Sequence, residues 1–62
     1  MDELLTDKEV IYLIAHNVVV NCNKDDTPLQ AYHGRDIAKL YCEGYRIYKR
    51  TLPNIVVYKA LK

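Results

Sequence analysis

Val10, Ile11, Ile14 and Ala15 recur at the three-and-four spacing that gathers side chains on one face of a helix. The four residues Thr6-Asp7-Lys8-Glu9 directly before them form a capping box. The Thr6 hydroxyl can accept from the Glu9 amide while the Glu9 carboxylate reaches back to the Thr6 amide. A helix is therefore expected to begin at Asp7 and to end at His16 and Asn17. Residues 1–5 precede the capping signal, and disorder is the expectation for them. Val18-Val19-Val20-Asn21-Cys22 follows, and its three consecutive β-branched residues favour a strand. Continuation of the helix is the alternative, because Val18, Val19 and Cys22 would extend its apolar face.

Asn23-Lys24-Asp25-Asp26 reads as a polar turn. Asp26 or Thr27 can then cap a second helix with Pro28 in its first turn, where a missing N–H does no harm. Leu29, His33, Ile37, Leu40 and Tyr41 line one side of such a helix, and Ala31, Ala38 and Cys42 form a second, small-residue side. Tyr32, Arg35, Lys39 and Glu43 are left for solvent. Gly34 inside this segment marks either a bend or a break into Pro28–His33 and Arg35–Glu43, since glycine costs about 1 kcal/mol in a helix interior. Gly44 fits the left-handed residue just past a helix end. Two strands complete the chain, Tyr45 to Arg50 and Ile55 to Leu61, joined by the turn Thr51-Leu52-Pro53-Asn54. A lone hairpin is marginal in water, so this one is expected to pack on the helices or pair with Val18–Cys22. The fold class is α+β, in one small domain spanning residues 1–62.

Composition adds few exclusions. The chain has 62 residues, half of them hydrophobic, with neither Phe nor Trp, so six tyrosines carry the aromatic packing. The apolar run Val10 to Val20 is interrupted by His16 and Asn17 and falls short of the ~20 residues that span a bilayer. No basic stretch precedes an apolar one at the N-terminus, which argues against a signal peptide. A cytoplasmic protein with reduced thiols and no membrane partner is expected. His16, Cys22, His33 and Cys42 lack the close pairing that structural zinc sites use, so no metal or other cofactor is expected. The chain has no serine, its only glycines are Gly34 and Gly44, and no pair of carboxylates stands at an acid–base spacing. An enzyme is not expected.

Charge changes the picture more. Residues 1–26 hold six acids and two bases, a balance of −4, whereas residues 27–62 hold seven bases and two acids, a balance of +5. Such polarity can orient a domain on a polyanion although the total is only +1. Arg35 and Lys39 fall one turn apart on the exposed wedge of the second helix. Arg46, Tyr48 and Arg50 share one face of the strand that follows, with Lys49 between them. Arginine, lysine and tyrosine are the side chains that contact phosphates and sugars. The competing explanation is that edge strands are charged to block aggregation, which Lys49, Arg50 and Lys59 would also achieve.

The run IAKLYCEGYRIYKRTLPNIVVYKAL resembles the end of the recognition helix and the wing of winged helix-turn-helix DNA-binding domains. The resemblance covers Thr6 to Leu61. It implies a recognition helix on Arg35–Glu43 and a wing on Thr51–Asn54 flanked by Lys49 and Arg50. It further implies a small regulatory protein that binds double-stranded DNA, with a homodimer left open. The candidate contacts are Arg35, Lys39, Arg46, Tyr48, Lys49 and Arg50. The alternative is a protein-binding inhibitor or adaptor that acts on a larger partner enzyme. A helix running straight through Gly34 would remove the helix-turn-helix.

Overall fold

The computed structural model describes residues 2–62. In chain order it has β1 (Asp2–Leu4), α1 (Asp7–Ala15), β2 (Val20–Lys24), β3 (Gln30–Tyr32), α2 (Gly34–Cys42), β4 (Arg46–Thr51) and β5 (Val56–Leu61). The α+β class is as the sequence implies, but the sheet is wider than three strands: five lie side by side in the order β1-β4-β5-β2-β3. β2 runs parallel to β5, and the other neighbours are antiparallel.

Local signals explain both helices. α1 starts at the capping box, with the Glu9 amide donating to Thr6 Oγ1 at 3.3 Å and the Thr6 amide donating to Glu9 Oε1 at 3.1 Å. Its end is a Schellman motif. Asn17 takes φ +47°, its amide donates to the Ile14 carbonyl, and the Val18 amide donates to the Leu13 carbonyl. α2 ends the same way around Gly44 at φ +94°, with bonds from Gly44 to Tyr41 and from Tyr45 to Leu40. In both motifs the residue past the turn is half or fully buried against the core, Val18 in the first and Tyr45 in the second.

The segment between the helices departs from expectation. Val18–Cys22 is shifted by two residues to Val20–Lys24, because the Schellman turn consumes Val18. Asn23 and Lys24 belong to that strand, and the turn falls on Asp25 to Thr27, where Thr27 Oγ1 bonds both the Lys24 amide and its carbonyl. No helix covers Pro28–His33. Gln30–Tyr32 instead pairs antiparallel with β2, matching Val20 with Tyr32 and Cys22 with Gln30. Leu29 is consequently exposed. His33 is the residue that precedes α2, and its amide donates to Asp36 Oδ2 at 2.9 Å. Asp2–Leu4, which nothing in the sequence orders, is an edge strand paired with residues 48–50.

One layer of helices lies on one face of the sheet. Val10 and Leu13 of α1 meet Ile37 and Leu40 of α2 over Val20, Cys22, Ile47 and Ala60, with Leu5 and Tyr45 closing the core. The Tyr41 hydroxyl donates to the Asp7 carboxylate, tying α2 to the start of α1. Among the described residues no helix is long and apolar enough to cross a membrane.

Candidate nucleic-acid interface

Alternation along β4 decides which basic residues stand together. Ile47 is 1% exposed and points at the helices, so Arg46, Tyr48 and Arg50 project from the opposite face. Paired residues share a face, which adds Leu61, Lys59 and Val57 from β5 and Leu4 and Asp2 from β1. The parallel register of β2 adds Asn21 and Asn23. No element covers this face among the described residues. It is a surface of three cations around a half-buried tyrosine, fringed by apolar side chains.

Asp2 is the only acid among the described residues of that face. Its Oδ1 accepts from Arg50 Nε at 2.8 Å, its Oδ2 accepts from Arg50 Nη2 at 3.4 Å, and Lys59 Nζ lies 3.9 Å away. The Arg50 hydrogen bond, helped by the positive charges of Arg50 and Lys59, holds the Asp2 carboxyl below the usual range. The same bond holds the Arg50 guanidinium above its own. The Arg50 side chain is 47% exposed and that of Asp2 28%, so water screens the pair and it adds little to stability.

The other predicted contacts lie elsewhere. Lys49 alternates back to the helix side, where with Leu5, Lys8, Glu9, Tyr12, Leu13 and Tyr58 it lines an open groove of about 530 Å³. Arg35 and Lys39 sit two residues either side of Ile37, which is fully buried, so they face away from the sheet and are exposed. The structure thus brings Arg46, Tyr48 and Arg50 together and leaves Arg35, Lys39 and Lys49 on the helix side.

Lys59, Asn21 and Asn23 were not among the predicted contacts. The signal for Lys59 was present in VVYKAL, where Val57, Lys59 and Leu61 alternate with Val56, Tyr58 and Ala60. For the two asparagines the signal depends on a pairing between β2 and β5 that no local pattern reveals. The pairing also removes a competing explanation. β4 and β5 are interior strands and the edges are β1 and β3; Arg50 is paired with Asp2 of β1 and Lys59 with Asn23 of β2, so edge protection does not account for Arg50 or Lys59.

His16, Cys22, His33 and Cys42 do not converge. Among the described residues no three His, Cys, Asp or Glu side chains form a metal-binding group. Both cysteines are free, Cys22 buried and Cys42 exposed. Compared with protein-family models, with curated proteins and with solved structures, the chain matches none of them.

Proposed function

We propose that this is a small nucleic-acid-binding protein, and that its contact surface is the open face of the sheet. The observation that carries this reading is the set Arg46, Arg50 and Lys59 around Tyr48 on one open face, where core packing calls for no cations and edge protection calls for none at Arg50 or Lys59, which are paired on both sides. The winged-helix version would read DNA with Arg35 and Lys39 on α2. It also needs a helix where β3 runs, and its helix contacts face away from Arg46, Tyr48 and Arg50. The sheet-face version needs no such rearrangement.

Binding of labelled DNA by the full chain near 50 mM salt tests the proposal. Arg46→Ala and Arg50→Ala should each weaken binding, while Arg35→Ala and Lys39→Ala should leave it nearly unchanged. The reverse ranking would restore the recognition helix, and no binding to any DNA would end the nucleic-acid reading. One observation favours a protein-binding module instead: the apolar groove between α1 and β5, with Tyr12 59% exposed at its rim. Exposed tyrosine beside apolar wall is a common anchor at protein interfaces. That reading expects Tyr12→Ala to abolish capture of a partner, with DNA binding absent throughout.

A further inference from the structure

We infer that the sheet face takes a single strand of DNA, and that the Asp2 carboxylate occupies the place of one of its phosphates until the strand binds. This rests on the sheet-face reading and names its ligand.

Dimensions argue against a duplex. A two-stranded ribbon enters the major groove, which is ~12 Å wide. Here β4 and β5 are flanked by β1 on one side and by β2 and β3 on the other. Five strands span roughly 19 Å at the usual spacing, too wide to enter. A flat face can lie on the outside of a duplex, but there the bases are stacked inward and Tyr48 meets none of them. An unpaired base has a free π-face, and a tyrosine on a basic surface is the kind of platform on which such bases stack.

The layout suits one nucleotide and its flanking phosphates. Lys59 is directly paired with Tyr48, a separation of about 5 Å between Cα atoms. Arg46 and Arg50 lie two residues to either side along the strand, about 7 Å away. Three cations therefore ring one aromatic side chain. Leu4 is paired with Tyr48 on the β1 side, and Val57 and Leu61 stand diagonally from it on β5. These apolar neighbours favour deoxyribose, since a ribose 2′-hydroxyl pressed against them would lose water without gaining a partner. Asn23 is turned to other work, its Nδ2 donating to the Asp25 carbonyl at 2.9 Å.

Asp2 completes the picture. A carboxylate bonded to Arg50 and lying 3.9 Å from Lys59 presents the same charge and acceptor oxygens to the same two cations as a phosphate would. Binding then exchanges one anion for another, and the cations stay ordered in its absence.

Fluorescence anisotropy with the full chain tests this, using twelve-nucleotide oligothymidylate, a twelve-base-pair duplex and twelve-nucleotide oligouridylate. The oligothymidylate should bind tightest. With three phosphates neutralised its slope in log affinity against log salt should be about −2, so affinity falls roughly 20-fold from 50 to 200 mM salt. Tyr48→Ala should weaken binding about tenfold to a hundredfold, while Tyr48→Phe keeps most of it. Circular dichroism on both variants separates lost stacking from lost fold, and Arg46→Ala gives an independent loss on the same face. Asp2→Asn should tighten binding several-fold. Duplex bound as well as the single strand would overturn the inference and leave the broader reading standing, whereas no binding to any probe would overturn both. Tighter binding of oligouridylate would overturn the choice of DNA. An Asp2→Asn variant with unchanged or weaker affinity would overturn the exchange.

Discussion

Cys22 has no exposed surface, and burial pushes its thiol up to about 11, because the thiolate would lose its hydration there. A thiol pKa raised by folding supports the folded state in full below the unfolded thiol's value. That support is withdrawn as pH climbs through the folded value. Stability should accordingly hold to about pH 8.5, the unfolded thiol's range, and decline from there towards about 11. The decline should be shallower in Cys22→Ala, with tyrosine and lysine titrations common to both proteins. The same burial predicts unequal reactivity. At pH 8 a disulfide reagent should label Cys42 rapidly and Cys22 only after denaturant is added, because thiolate is the reacting form. Two thiols reacting at one rate in the native protein would contradict the burial. At this scale the sequence was most legible where partners are close along the chain. The capping box could be read from Thr6 and Glu9 because the two residues are three apart. Tyr41 and Asp7 meet from opposite ends of two helices, and nothing local announced that contact.

Gly34 is the first residue of α2 and lies against the last turn of α1. A Cβ there would come within 2.5 Å of the Leu13 carbonyl oxygen and 2.7 Å of Asn17 Cα, both backbone atoms that cannot swing away. Two effects therefore compete in Gly34→Ala. Helix propensity alone would stabilise by up to about 1 kcal/mol, while the forced separation of the helices should cost roughly 1–3 kcal/mol. The clash should win, and thermal melting should show a lower midpoint. A midpoint equal to or above the parent's would mean the helices are not in such close approach. The glycine was visible in the sequence, and so was the possibility of a break, but the reason for it was not. The misread element is β3. Gln30-Ala31-Tyr32 has no β-branched residue and follows a proline that suits a helix start, so local preference pointed away from a strand. Pairing with Val20–Cys22 supplies what propensity did not. α2 itself was legible because Ile37, Leu40 and Gly44 mark its buried face and its end within one short stretch.

The hairpin of β4 and β5 was read to within a residue, yet the order of the whole sheet was not legible, because two of the three remaining pairings join distant parts of the chain and the third, β2 with β3, rests on a segment whose residues suit a helix start. β1 meets β4 across more than forty residues and β2 meets β5 across more than thirty. The resulting radius of gyration, 10.5 Å, is close to the roughly 10.5 Å expected of a single compact domain of this length. So wide a sheet leaves two edges, and both are short, with three residues each in β1 and β3. Short edges limit pairing with other chains. β1 therefore shields β4, a six-residue strand whose unpaired backbone would otherwise be open along one side. It buries little apolar surface of its own, since Leu4 is 55% exposed. Its contribution is a few backbone hydrogen bonds, worth about 1–2 kcal/mol in all. Deleting residues 1–4 should then lower the melting midpoint by about 4–16 °C in a domain this small. The exposed edge of β4 should also make the shortened chain associate as its concentration rises, which sedimentation velocity would read as a growing weight-average mass. The parent should keep its mass over the same range. A shortened chain that melts within a degree of the parent and holds a constant mass would mean that β1 is not needed to guard that edge.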